Sequence, residues 1–238
     1  MISFDTFVLE YLNSFSRVSG PFDSFVYFVA GNHLVKAAVL LMLFWWLWFV
    51  QNEGEQLRRE KLISTIIACF VAMGVARGLA LTLPFRLRPI HESSIEFQLP
   101  YSMNASTLDG WSSFPSDHAV LFICFSTGLF FVSKRAGIMA FLYATVVICV
   151  PRVYLGLHYP TDIIAGGLIG ATAAGLCNTR IFLLRVSAPV LRWEKVNPQY
   201  FYPLLFLVSY QIADMFNSIR DIFSFLAWLV KTIFGPQL

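Results

Sequence analysis

Charge is scarce in this chain. Asp, Glu, Lys and Arg make up 13% of its 238 residues, where soluble domains carry roughly a quarter. That scarcity excludes an ordinary water-soluble globule, and 57% hydrophobic residues with 16% aromatics leave a polytopic membrane protein. Cysteine is scarce too. Cys69, Cys124, Cys149 and Cys177 lie inside apolar runs with no CxxC pair, which argues against a disulfide framework or zinc site and for core thiols. The net charge of +3 is scattered and offers no surface for nucleic acid. Repeats, low-complexity tracts and long linkers are absent, so residues 1–238 read as a single integral membrane domain. The N-terminus lacks a basic n-region and carries Asp5 and Glu10, making it a poor signal peptide. An amphipathic interfacial helix suits it better, with Phe4, Phe7, Val8, Tyr11 and Leu12 on one side.

What is present is a series of apolar runs. A helix crossing a bilayer needs about 20 mostly apolar residues. Runs at 34–51, 61–83, 117–133, 137–155, 161–183 and, more weakly, 200–217 predict an all-α bundle of about six transmembrane helices. The stretch 222–235 is short for a span and suits an interfacial or re-entrant position equally. The aromatic run 44–49 reads as an interface belt or lipid-facing surface. Orientation follows the basic residues. Arg58, Arg59, Lys61, Lys134, Arg135, Arg180, Arg185, Arg192 and Lys195 fall on one side; Arg17, Lys36, Arg86, Arg88 and Arg152 fall on the other. The richer side is assigned to the cytoplasm. The 84–116 and 151–161 loops then share the exoplasmic face.

Three polar clusters meet on that face: Arg86 and Arg88, then Ser116–Asp117–His118, then Arg152, His158 and Asp162. Guanidinium groups grip phosphoryl oxygens through forked donors. A helix opening at Ser116 adds backbone amides aimed at the same anion. Two imidazoles supply a nucleophile and a proton donor, and Asp162 is placed to accept the His158 N–H and fix its tautomer. Pro160 favours a helix starting near 159–161, which holds Asp162 in a rigid first turn. The bland alternative makes Ser116 or Asp117 a helix cap, Arg86 and Arg88 snorkelling side chains, and 153–162 a tight aromatic turn. His33 and His91 read as interfacial.

Arg88–Pro89, PSDH at 115–118 and Arg152–x5–His158–x3–Asp162 resemble the three signatures of the type 2 phosphatidic acid phosphatase superfamily, written K-x6-R-P, P-S-G-H and S-R-x5-H-x3-D. The resemblance covers a motif-bearing core at about 77–162. It implies His158 as the nucleophile that becomes a phosphohistidine, Asp162 as its orienting partner and His118 as the acid for the leaving alcohol. Arg88, Arg152 and Ser116 then hold the phosphate, and no metal or cofactor is implied. Three positions depart from the pattern. Leu81 stands where the lysine is expected, and Arg77, one turn earlier on the same helix face, is the candidate replacement with help from Arg86. Asp117 replaces Gly; its backbone N–H can still serve the phosphate, but its carboxylate repels an anion unless it points away. Pro151 replaces Ser and loses a hydroxyl.

These readings predict a multi-pass membrane phosphatase acting on lipid phosphates or pyrophosphates at the exoplasmic face, by analogy that of a bacterial inner membrane. Its partners are the bilayer and a lipid phosphate. Polyprenyl pyrophosphate, phosphatidic acid, phosphatidylglycerol phosphate and lipid A phosphate all satisfy that description, and the 90–113 loop, a candidate lid, does not choose among them. The competing class is a non-hydrolytic phospholipid binder or transporter using the arginines as an anion cup. A metallohydrolase with His118, His158 and Asp162 as ligands is a third, disfavoured by the crowd of arginines.

Overall fold

The computed structural model describes residues 3–51 and 53–234. It is all helical, with no strand among the described residues. Helices α1 (Ser3–Asn13) and α2 (Gly20–Gly31) precede α3 (Leu34–Phe49) and the long α4 (Glu55–Thr82). A loop over 83–116 leads to α5 (Asp117–Val132), followed by α6 (Lys134–Tyr154) and α7 (Pro160–Cys177). The chain closes with α8 (180–196), α9 (Pro198–Ala213) and α10 (Asn217–Phe234).

Helix α5 is the axis of the bundle. It packs against α4, α6 and α7, and every residue from Ala119 to Ser126 is buried. Lipid tails are as apolar as leucine, so such contacts depend on fit rather than on escape from water. Small residues provide the fit. A Cβ on Gly128 would stand 2.3 Å from Thr65 Oγ1, and one on Gly170 of α7 would stand 2.3 Å from the Val120 carbonyl oxygen. Gly166 approaches Ser116 O in the same way, at 2.8 Å. The α5–α7 contact thus brings the Ser116 turn and the first turn of α7 together, and Ser116 N–H donates to Asp162 O at 3.3 Å.

Length separates the observed helices from the expected spans. Helices α4, α6 and α7 are long and apolar enough to cross a membrane, and α2 with α3, bent by 64°, makes a fourth if the pair is one broken span. Helix α5 has only 16 residues, as has α9, so the expected six is not reached on length and composition. Sequence reading missed α2 altogether, because its apolar stretch is short and ends at Gly31. The aromatic run needs correction as well. Phe44 and Trp48 are fully buried, and only Trp46 and Phe49 of its aromatics are exposed. Trp48 stacks on Phe201 of α9 at 5.8 Å, which makes half of the run core. The four cysteines are free and buried. Residues 222–234 belong to α10, where Ile222, Phe223, Phe225, Leu226 and Trp228 are exposed; Gly235 lies outside the described residues.

Helix α1 keeps Phe4, Phe7 and Tyr11 exposed, while Leu12 of the expected apolar face packs inward against Leu9 and its neighbours. Its other side buries Asp5, Leu9 and Asn13, and the helix is seated on the end of α6 and on α7. Helix α6 passes through a π-helical segment, Ala144–Cys149, just before Pro151. Proline has no N–H to give the ladder, and the helix widens ahead of it. The wider turn delivers Arg152 to the same end of the bundle.

Candidate active site

Four elements converge at that end. The turn between α6 and α7 is closed on Arg152, whose carbonyl accepts from Leu157 N at 2.9 Å and His158 N at 3.3 Å. Gly156, at φ 65°, makes the reversal possible; a Cβ there would meet the Phe97 ring at 2.6 Å. His158 is therefore held by main-chain bonds, with 5% of its surface exposed.

The His158 ring is oriented by a carbonyl. Nδ1 lies 2.8 Å from Ser113 O, which can only accept, so Nδ1 carries the proton and Nε2 presents its lone pair. Arg88 Nη1 stands 3.4 Å from that Nε2. Burial first, then the Arg88 guanidinium, holds the imidazole well below its ordinary pKa, so the ring is neutral and nucleophilic. Asp162 was expected to take the Nδ1 proton itself, but its nearer oxygen is 3.9 Å away. It acts one bond back. Asp162 accepts from Ser113 Oγ at 2.5 Å, Tyr159 N at 2.8 Å and Arg86 Nη1 at 2.5 Å. Ser113 is thus a residue that the motif pattern did not reveal.

Arg88 is nearly immobile. It donates to Trp111 O, Leu157 O and Ser112 O at 3.1, 2.5 and 3.0 Å, and burial pushes its pKa down to about 10. Arg152 donates to Ala30 O at 2.6 Å and to His118 Nε2. Ser116 occupies the N-cap position of α5 but makes no side-chain capping bond. Its buried Oγ has no hydrogen-bond partner among the described residues, nor has Arg152 Nε. The capping reading therefore fails for Ser116.

The two remaining arginines are engaged. Arg77 pairs with Asp117 and lies over the Trp111 ring at 5.6 Å, so the carboxylate that replaces the motif glycine is turned away and neutralised. Arg86 bonds Asp162 and, at 2.8 Å, Asp5, and stacks on Tyr159 at 4.2 Å. Leu81 is 86% exposed. It points out of the bundle.

Residues 82–185 match the family model of the PAP2 superfamily. Over that segment, from the end of α4 into α8, the chain is similar to the PAP2 superfamily. Among its relatives, the bacitracin transport permease protein BcrC of Bacillus licheniformis is 27% identical over 169 residues, covering 69% of this chain and 74% of that one. YbjG of Escherichia coli, by name a candidate undecaprenyl-diphosphatase, is 27% identical over 177 residues, 70% and 83% of the two chains. Undecaprenyl-diphosphatase BcrC of Bacillus subtilis is 23% identical over 168 residues, 71% and 79%.

The site also takes a residue from well outside the matched segment. Asp5 of α1 is fully buried and accepts from Arg86 Nη2, Thr161 N and Thr161 Oγ1 at 2.8, 2.9 and 2.7 Å. No sequence pattern links it to the site. Its one early signal was a carboxylate interrupting an apolar face. Asp5 holds Arg86 and the first turn of α7, and through them Asp162. Asp5→Ala is expected to lower kcat by roughly 10- to 100-fold, the usual cost of losing a supporting hydrogen-bond partner. KM should change little, because the Asp5 carboxylate bonds only Arg86 and Thr161 among the described residues; a KM-dominated loss would make it a substrate contact instead.

Proposed function

We propose that this protein is a membrane phosphatase that cleaves lipid phosphates or diphosphates through a phosphohistidine. One observation carries the reading: two buried polar atoms with no partner among the described residues, Ser116 Oγ and Arg152 Nε, at the end of the bundle where His158 presents its Nε2 lone pair. Buried polar groups are costly unless bonded. A phosphoryl group seated there gives both a partner, along with Arg88 and the amides at the start of α5.

In the first step His158 Nε2 attacks phosphorus in line. The P–N bond forms as the bond to the leaving oxygen breaks, and the electron pair departs with that oxygen. His118 donates a proton to it. Arg152 donates to His118 Nε2, so that nitrogen starts without a proton. When the guanidinium turns to the phosphate, Nε2 takes up a proton from the entering phosphate group or from water, and this is the proton it passes to the leaving oxygen. In the second step water attacks phosphorus, gives its proton to His118 and releases His158. Arg88, Arg152 and Ser116 stabilise the equatorial charge in both steps, the main contribution to phosphoryl transfer. The exposed apolar belt and the relatives named as undecaprenyl-diphosphatases support a lipid diphosphate substrate. The same reading takes α5 and α9 as additional crossings, giving six, with the site on the exoplasmic face of a bacterial inner membrane.

The test is phosphate release by detergent-purified protein from a panel of lipid phosphates and diphosphates, with and without EDTA. Release unchanged by EDTA is expected. Release abolished by EDTA and restored by a divalent cation would favour the metallohydrolase, and no release from any lipid would favour the binder or transporter.

A further inference from the structure

One cation near the site has no role in that scheme. Lys36 lies on the π-helical opening of α3, Leu34–Ala38, just past the 64° bend, and only 4% of its surface is exposed. Among the described residues no carboxylate lies within 4.0 Å of its ammonium group. Asp214 is the acidic charge acting on it, and one oxygen of that carboxylate already accepts from Ser218 N and Ser218 Oγ, both at 2.6 Å. An unpaired charge inside a membrane protein is expensive to keep.

Its place is fixed by contacts. The opening of α3 touches the π-segment of α6 that leads to Arg152, and Tyr143 Oη donates to Val35 O across that contact. Arg152 reaches back to Ala30 O, six residues before Lys36. Arg152, which the α2–α3 turn region holds through Ala30 O, donates to His118, whereas His158 is held from the other side by Ser113 O and Arg88 of the 83–116 loop. Lys36 therefore stands on the side of the proton donor, away from the nucleophile. In an in-line displacement that is the side of the leaving group.

We infer that Lys36 binds the phosphate that leaves with the lipid, and that the preferred substrate is accordingly a lipid diphosphate rather than a monophosphate. This rests on the phosphatase reading above. Arg77 and Arg86 are committed to carboxylates, which leaves Arg88 and Arg152 for the transferred phosphoryl group. A diphosphate brings about one further negative charge, and Lys36 is the buried cation not yet matched. With a diphosphate the P–O bond between the two phosphorus atoms breaks, and the lipid monophosphate departs with its charge held by Lys36 while His118 supplies a proton. With a monophosphate the leaving group is an alcohol and has nothing for an ammonium to hold.

The experiment compares kcat/KM for one lipid chain carrying either a diphosphate or a monophosphate. The wild type is expected to prefer the diphosphate by tenfold or more. In Lys36→Gln that preference should shrink by roughly 10- to 100-fold, the range for losing a hydrogen bond to a charged group, and Lys36→Arg should retain most of it. Inhibition by added lipid monophosphate should weaken in Lys36→Gln more than inhibition by inorganic phosphate. A wild type preferring the monophosphate overturns the inference without any variant, and so does a Lys36→Gln protein with an unaltered preference. A wild type silent on both lipids overturns the phosphatase reading itself.

Discussion

Replacing His158 with alanine is expected to reduce phosphate release by about four orders of magnitude or more, as removal of an attacking nucleophile does elsewhere. The imidazole is held by Ser113 O on one nitrogen and faces Arg88 with the other, so no neighbouring group can take its place. His118 is engaged by Arg152, and in the proposed mechanism it stands across phosphorus from His158. Substrate binding should survive the change, because Arg88, Arg152 and Ser116 remain. The check is turnover together with retention of lipid diphosphate on the variant. Rapid quenching of the wild type with labelled substrate should also trap acid-labile, base-stable label on the protein, absent from His158→Ala. A variant retaining a tenth of the activity would remove His158 from the nucleophile's position.

The second large effect concerns assembly. Gly170→Val would place a Cβ 2.3 Å from Val120 O and 2.9 Å from Cys124 N. Both are backbone atoms of a helix packed on all sides, so neither can rotate out of the way. Ordinary overpacking costs roughly 1–3 kcal/mol; here α5 and α7 must separate, and the loss is expected to exceed that. It should appear as a large fall in melting temperature, or no monodisperse protein, in detergent. Gly175→Ala on the same helix is the control. A Cβ at Gly175 has nothing within 4 Å, and alanine is the better helix former by about 1 kcal/mol, so this variant should melt at or above the wild type. If both variants melt alike, the close α5–α7 contact is wrong.

The parts of this architecture that depend on local pattern were legible in the sequence. Apolar runs announced α3 through α7, and Pro160 announced the start of α7. The ordered motifs named His158, Asp162, His118, Arg88, Arg152 and Ser116, and the structure brings all six to one end of the bundle. What stayed hidden depends on partners far away in the chain. Arg77 and Arg86 looked like phosphate ligands because the acids that pair with them, Asp117 for the first and Asp162 and Asp5 for the second, are brought to them only by packing. Ser113 acts through its carbonyl on His158 and its hydroxyl on Asp162, partners that only the fold brings to it. Phe44 and Trp48 looked lipid-facing because aromatic residues suit an interface and a core equally well, and α9 decides between them.

The bonds from Asp5 to Thr161 join residues 156 positions apart. A ribosome adding about 5–20 residues per second needs some 8–30 s to bridge that interval. During it a carboxylate destined for full burial has neither Arg86 in place nor the amide of Thr161 yet made. Helix α1 must therefore wait with Asp5 turned to water or headgroups, and it can seat only after the start of α7 has emerged. Every nascent chain halted before that point carries α1 without the α7 half of its seat.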